Sequence, residues 1–148
     1  MAAEQQSGWL GDPVAKLLRL PLSTKEFIER IITGSVNETG RRTLYVLFTT
    51  WDLAGGGPFA ASAVASTGMA KTVDIVEKSL TVPVFSPLLK RLGVDKIKLR
   101  ASLCASQVVG LGILRYAVRT EPIHSMDVDA LVDAVAPALQ HYLTGDLS

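Results

Sequence analysis

Apolar residues along this chain recur at intervals of three and four, the spacing of one face of an α-helix. The pattern is clearest near the C-terminus, where an apolar stripe runs from residue 128 to residue 143. Asp127 precedes this stripe and Gly145 follows it, and these residue types commonly begin and end helices. Glycine and proline divide the rest of the chain into similar blocks, none of which alternates as a strand does. The pattern therefore predicts an all-α fold of about six helices.

The first clear helix begins at Ser23, whose hydroxyl and the side chain of Glu26 form a capping-box pattern. Asn37 is the predicted cap of the next helix, which ends before three consecutive glycines at 55–57. A short, alanine-rich helix follows over residues 59–67.

Residues 72–92 have helical spacing again, but Pro83 and Pro87 must kink or interrupt the helix because proline lacks an amide donor. Residues 1–22 are mixed in character and are predicted to be a partly irregular arm, in which Val14, Leu17 and Leu18 form one amphipathic turn or two. Residues 23–148 are then the domain proper. The last helix, from Asp127, contains Pro137, which we expect to bend it modestly.

The predicted helix over residues 95–119 is unusually apolar. It carries no charge between Ala101 and Leu114, and its polar side chains there are Ser102, Ser106 and Gln107. A helix that is apolar nearly all round must be covered on two sides. In a domain this small, one side faces its own core and the other a second subunit, and Gly110 and Gly112 permit close approach. The uncharged run is too short for a bilayer, which needs about 20 residues.

Composition narrows the class of protein. Of 148 residues, 48% are hydrophobic and 20% charged, which is typical of a globular domain. The net charge is +1 and the charges are intermixed, so no basic face for nucleic acid is evident. The basic residues between Lys90 and Arg100 are interpreted as a solvated helix end. The N-terminus does not have the pattern of a signal peptide, and we expect a cytoplasmic protein without membrane contact.

The sequence lacks the residue combinations that catalysis or metal binding needs. Cys104 is the one cysteine, which excludes an internal disulfide and a cysteine-based zinc site. His124 and His141 lie on different segments, so we predict no metal site and no cofactor. The serines lack a paired base, and the Gly55–Gly57 run lacks the Lys and Ser/Thr of a phosphate loop. Arg115, Arg119 and Glu121 are expected to form an ion pair near a helix end, and we predict no enzyme.

The last fifty residues carry a recognisable series of short motifs. The motifs in order are Ala105-Ser106-Gln107, Leu114-Arg115-Tyr116, Glu121-Pro122, Val135-Ala136-Pro137 and Tyr142-Leu143-Thr144-Gly145. Three further motifs lie upstream: Trp51-Asp52, Pro87-Leu88 and Arg91-Leu92-Gly93. In the order of all these motifs, the chain from about residue 24 to 147 resembles the C-terminal half of many actinobacterial TetR-like transcriptional regulators. The resemblance is strong at the C-terminus and weak between Ala54 and Thr81.

The resemblance implies a homodimer in which the last two helices pair with those of a second subunit as a four-helix bundle. The candidate interface residues are Leu111, Leu114, Val135 and Leu139. It also implies a small hydrophobic effector held between the central helices, oriented by Gln107 or Thr50. The candidate lining residues are Phe48, Trp51, Phe59, Met69 and Phe85. The other interpretation of these five large residues is that they simply fill the core.

TetR-like regulators begin with a helix-turn-helix of about fifty residues, and residues 1–22 are too short to contain one. We therefore expect a sensor and dimerisation module that does not itself contact DNA. Three explanations stay open: the sequence was trimmed, its start was wrongly assigned, or the natural protein lacks a DNA-binding domain. Two other functions also stay open: an interaction protein that heterodimerises with full-length relatives, and a small-molecule carrier or enzyme that uses the same pocket.

Overall fold

The computed structural model of this protein describes residues 11–148, and these residues form helices and connecting turns without a strand. The α-helices are α1 (Pro13–Leu17), α2 (Thr24–Ile32), α3 (Thr39–Leu53), α4 (Ala61–Thr67), α5 (Met69–Leu80), α6 (Ser86–Leu92), α7 (Ile97–Gly112) and α8 (Val128–Thr144). Two 3₁₀ turns, Val36–Glu38 and Gly57–Phe59, precede α3 and α4. Two π-helical turns, Thr81–Phe85 and Ile113–Ala117, follow α5 and α7. The predicted all-α fold is confirmed: each predicted helical block is present, and α1 is added from the arm.

Side chains cap the first turns of α1, α2 and α8. The Ser23 hydroxyl accepts a hydrogen bond from the Glu26 amide at 3.1 Å and caps α2. The Asp127 carboxylate accepts one from the Asp129 amide at 3.2 Å and caps α8. The prediction that Asn37 caps α3 is wrong: Asn37 lies inside the 3₁₀ turn, and Glu38 occupies the position before α3.

Proline changes the helix over residues 69–92 without breaking it. Pro83 lies inside the π-helical turn, and Pro87 lies in the first turn of α6. Proline is tolerated in a first turn because the amide there has no intrahelical partner to lose. The π-helical turn that contains Pro83 therefore leads directly from α5 into α6, whose first turn contains Pro87.

Helices α3 and α8 pack along each other and form the centre of the fold. Gly40 makes this approach possible, since a Cβ there would come within 2.9 Å of the Gln140 backbone nitrogen. The Gly40 amide donates to Gln140 Oε1 at 2.8 Å, and Gln140 Nε2 donates to the Val36 carbonyl at 3.1 Å. An ion pair between Arg41 and Asp133 adds a second direct link between α3 and α8.

Residues 11–22 belong to the same core as the rest of the domain. Ala15, Leu18 and Leu20 are fully buried, and the indole Nε1–H of Trp51 donates to the Leu18 carbonyl at 2.7 Å. The Asp12 carboxylate caps α1 and also accepts a hydrogen bond from the Thr24 amide at 2.8 Å. The part of the predicted arm that precedes residue 11 lies outside the described residues.

Candidate functional site

The centre of the core is an aromatic cluster. The ring centroid of Trp51 lies 5.3 Å from those of Phe48 and Phe59, and both contacts are edge-on. A Cβ on Gly57 would collide with the Trp51 ring, and a Cβ on Gly112 would collide with the Phe59 ring. Because Gly57 and Gly112 have no side chains, the rings of Trp51 and Phe59 can pack directly against them.

The residues predicted to line an effector pocket lie partly in the packed core and partly at its edge. Trp51 packs on Phe48 and on Phe59, and Phe85 is buried in the π-helical turn after α5. Met69 begins α5 and is 41% exposed, while Gln107 is half-buried on α7. The alternative interpretation, that the aromatic residues fill the core, describes their contacts.

A cavity of about 450 Å³ lies instead between α1, the segment around α4, and α5. We call it the arm cavity. Its lining residues are Pro13, Lys16, Leu17, Arg19, Pro58, Ala63, Thr67, Thr72, Ile75 and Val76. This volume is within the range of pockets that hold small ligands, about 300–1,000 Å³. Sequence reasoning missed it because it assigned residues 1–22 to a separate arm, although Asp12-Pro13 is a good helix-start pattern.

The charge around the arm cavity is of one sign. Lys16 and Arg19 both line it, and no acidic side chain is among the described residues that do. Both cations also line a neighbouring groove of about 510 Å³, which contains Thr50 and Leu53. The cavity thus combines an apolar wall with two cations at one end of α1.

A second polar arrangement joins the end of α3 to the end of α7. Arg115 Nε and Nη2 donate to Asp52 Oδ1 and Oδ2 at 3.0 and 2.8 Å, and the Tyr116 hydroxyl donates to Oδ1 at 2.5 Å. Arg115 Nη1 also donates to the carbonyls of Ile123 and Met126. The sequence predicted an ion pair among Arg115, Arg119 and Glu121, but the carboxylate partner of Arg115 is Asp52.

Asp52, Arg115 and Tyr116 influence one another's pKa values. Burial raises the pKa of the Asp52 carboxyl, but hydrogen bonds from Arg115 and Tyr116 and the charge of Arg115 outweigh burial and hold that pKa below 3.8. Burial and the hydrogen bond to Asp52 raise the pKa of the Tyr116 phenol far above its usual value. Asp52, Arg115 and Tyr116 thus stay in fixed protonation states near neutral pH, as expected for a structural link.

A cleft of about 310 Å³ lies beside this link, between Gly55, Gly56, Arg119 and His124. His124 Nδ1 lies 2.7 Å from the Arg115 carbonyl, so the ring donates this nitrogen's proton and presents Nε2 elsewhere. His141 lies on α8, and within residues 11–148 no group of three His, Cys, Asp or Glu side chains is placed to hold a metal ion.

One side of α7, continued by the π-helical turn and Val118 after it, is exposed and carries no charged side chain. The exposed or half-exposed residues of this side, which we call the open face of α7, are Leu99, Ser102, Leu103, Ser106, Gln107, Gly110, Leu114 and Val118. Leu99, Leu114 and Val118 are 48%, 36% and 55% exposed, and nothing lies within 4 Å of a Cβ built on Gly110. Ala130, Ala134 and Ala138 form an exposed stripe on α8.

The four predicted interface residues divide between this surface and the core. Leu114 belongs to the open face and Val135 is half-buried. Leu139 is fully buried and Leu111 is 6% exposed, so both pack inside their own subunit. Period-3.6 spacing places residues on a helix face, but both faces here are apolar, so spacing does not tell the inner face from the outer.

The helix from Ile97 to Ala117 is, by length and composition, the one candidate for a membrane span in the described part of the chain. This is weak evidence, because the core helix of a soluble protein passes the same test and 44% of its most apolar window is buried in the fold. The helix also contains Arg100, which is buried and donates to the carbonyls of Asp95, Tyr142 and Gly145. Its contacts are those of a core helix.

The helical architecture matches that of a solved protein. A crystal structure of a TetR-family regulator from Streptomyces coelicolor superposes with a TM-score of 0.67 at 23% identity, covering 97% of this chain and 99% of that one. At that identity the likeness shows the fold alone. No curated protein matches the chain in sequence.

The family assignment rests on sequence. The profile described as "Tetracyclin repressor-like, C-terminal domain" matches residues 37–143, which is most of the chain. The chain belongs to this family of TetR-type regulator domains, and the resemblance found in the sequence is confirmed.

Proposed function

We propose that this chain is a cytoplasmic sensor module of a transcriptional regulator, which homodimerises through α7 and α8 and holds a small effector in the arm cavity. The observation that carries this proposal is the position of the Gly57–Phe59 turn. Pro58 lines the arm cavity, and the ring of the next residue, Phe59, packs on Gly112 of α7. A ligand that displaces Pro58 therefore acts on the helix whose other side is open.

The open face of α7 suits a second copy of the chain. It has no charged side chain, so its burial incurs no charge desolvation, and apolar area contributes roughly 25 cal/mol per Å². Gly110 leaves the backbone bare at its centre, which permits two helices to cross closely. A two-fold dimer presents the same patch twice, and a face of mixed leucine, serine and glycine can be complementary to itself.

Effector binding would regulate only if the ligand binds one dimer geometry more tightly than another. The contact of Phe59 with Gly112 supplies such a link, because the bare glycine leaves the ring seated directly on the α7 backbone. In a regulator with DNA-binding heads, a shift of α7 against its partner helix changes the spacing of the heads.

The dimer is tested by light scattering after size exclusion at micromolar concentration. We expect a dimer for the wild-type chain and a monomer for Leu114→Glu, which places a charge in the open face. Val82→Glu is the matched control, because Val82 is 70% exposed and lies in the turn between α5 and α6, outside the set of residues that form the open face. A monomeric wild type, or equal dissociation by both variants, would overturn this part of the proposal.

The cavity is tested with 1-decanol as a neutral probe. We expect its binding to raise the melting temperature, and we expect Ala63→Phe, which fills the arm cavity, to abolish the rise. Circular dichroism checks that this variant is folded. A rise that survives in the folded Ala63→Phe protein would place the probe elsewhere.

A further inference from the structure

The arm cavity carries a charge pattern that the proposed function does not explain. An apolar effector needs no charged partner, yet both long side chains at the end of α1 are cationic and line the cavity. Within residues 11–148, neither Lys16 nor Arg19 makes a side-chain hydrogen bond or ion pair, and Thr67 and Thr72 are the polar neutral residues in the lining. The rest of the wall is apolar.

The backbone at Arg19 gives a second, independent observation. The chain leaves α1 by a Schellman turn, in which the Leu20 amide donates to the Ala15 carbonyl at 2.9 Å and the Arg19 amide to the Lys16 carbonyl at 3.2 Å. This turn requires a left-handed residue after the helix end, a position where glycine is strongly preferred. Arg19 occupies it with φ of 56°.

A left-handed conformation disfavours residues with a Cβ, so arginine at this position destabilises the turn relative to glycine. Within residues 11–148 the side chain makes no hydrogen bond or ion pair that would compensate, and it lines the arm cavity. The strained backbone is consistent with a role for the guanidinium in binding.

We propose that the effector of the arm cavity is a compact amphipathic anion, with an apolar body against α4 and α5 and a carboxylate between Lys16 and Arg19. The inference rests on the proposed function, since it gives the chemical class of ligand for the same cavity. About 450 Å³, at roughly 30 Å³ for each water-sized heavy atom, accommodates on the order of 15 heavy atoms. A medium-chain carboxylate such as decanoate is of this size.

The experiment compares decanoate with 1-decanol by calorimetry and by NMR contacts to the methyl groups of Ile75 and Val76. We expect Lys16→Gln and Arg19→Gly together to weaken decanoate binding about ten-fold while leaving decanol unchanged, since two partly exposed charge contacts are lost. Raising NaCl from 50 to 500 mM should weaken decanoate binding alone.

Arg19→Gly separates binding from stability. Relief of the left-handed strain should raise the melting temperature of the free protein by up to about 3 °C while decanoate binding falls. Arg119→Gly is the matched control: Arg119 is also left-handed, with φ of 59°, but lines the cleft beside Asp52. It should gain stability and leave decanoate binding intact.

The outcomes are distinct. Equal binding of decanoate and decanol, with no effect of the Lys16 and Arg19 variants, would overturn the anionic class and leave the effector pocket standing. Absence of both probes from the Ile75 and Val76 methyls would overturn the pocket and this inference together. Loss of decanoate binding in Arg119→Gly as well would show that the cations act by overall charge and not at this site.

Discussion

Arg115 donates two hydrogen bonds to the Asp52 carboxylate and so connects the end of α7 to the end of α3. The two contacts are 3.0 and 2.8 Å long, and the guanidinium is almost completely buried. Its remaining nitrogen donates to the carbonyls of Ile123 and Met126 in the connection before α8. One side chain therefore orders three segments that are far apart in sequence.

Replacing the carboxylate leaves this guanidinium buried without a counter-charge. We predict that Asp52→Asn lowers the free energy of unfolding by about 1–3 kcal/mol, below the cost for a fully buried pair because Asp52 is partly exposed. Urea denaturation measures the change. Glu29→Gln, which breaks the exposed pair with Arg91, is the control and should have a much smaller effect. Similar losses for both variants would contradict the structural role of Arg115.

The same pair makes stability depend on acid pH. The pKa of Asp52 is lower in the folded chain than its ordinary 3.8, so its contribution is present above about pH 4. That contribution is lost as pH falls through the lower pKa of the folded state. We predict that urea midpoints between pH 5 and pH 2 fall less steeply for Asp52→Asn than for the wild type. Identical acid dependence in the two proteins would contradict the depressed pKa.

Two glycines on α7 should respond oppositely to the same substitution. Gly112→Ala places a methyl group against the Phe59 ring, and overpacking of this kind costs roughly 1–3 kcal/mol. Gly110→Ala meets nothing within 4 Å in its own subunit and gains about 1 kcal/mol of helix propensity. Urea denaturation of both in the monomeric Leu114→Glu background isolates these effects. Phe59→Leu should partly rescue Gly112→Ala, and destabilisation by both alanines would contradict the packing described.

The helices could be predicted from the sequence because their causes are local. The capping hydroxyl of Ser23, the stripe from residue 128 and the turn at Gly93 each act within a few residues. Pro83 and Pro87 were correctly expected to disturb one helix. The π-helical turn that absorbs Pro83 depends on packing against the rest of the domain and has no comparable local pattern.

The candidate site could not be predicted in the same way, because its parts are brought together by tertiary packing. Asp52 and Arg115 are 63 positions apart, and Leu18 and Trp51 are 33 apart. Large aromatic residues suit a ligand pocket and a solid core equally, and here Gly57 and Gly112 make room for them to pack. The arm cavity forms only when α1 docks, and that docking combines the burial of Ala15, Leu18 and Leu20 with one indole hydrogen bond, from Trp51 to Leu18.

That hydrogen bond gives the fourth prediction. Trp51→Phe removes the donor to the Leu18 carbonyl and leaves a buried acceptor unpaired, which costs about 1–3 kcal/mol. We expect α1 to detach more often, so that trypsin cuts after Lys16 and Arg19 faster than at other sites. Mass spectrometry of timed digests reads the cleavage order. Leu139→Val, a core change on α8, which contributes none of the described residues that line the arm cavity, should speed all cleavages without that preference.

Cysteine reactivity gives a test of both the core and the open face. Cys104 is fully buried, and burial raises the pKa of its thiol to about 12, so iodoacetamide should leave it unmodified in the native chain at pH 8. Ser106→Cys adds a thiol on the exposed side of the same helix. In the monomeric Leu114→Glu background this thiol should be modified at the rate of a free cysteine.

In the proposed dimer the second subunit should cover residue 106, and we predict at least ten-fold slower modification of Ser106→Cys than in the Leu114→Glu background. Intact-mass spectrometry counts the labels, and urea-unfolded protein, with both thiols open, gives the upper limit. Rapid labelling of Cys104 in the native chain would contradict the packing of α7 against the core. Equal labelling of residue 106 with and without Leu114→Glu would show that a second subunit does not cover the open face. A partner packed on one side of a helix protects only the residues on that side from the reagent.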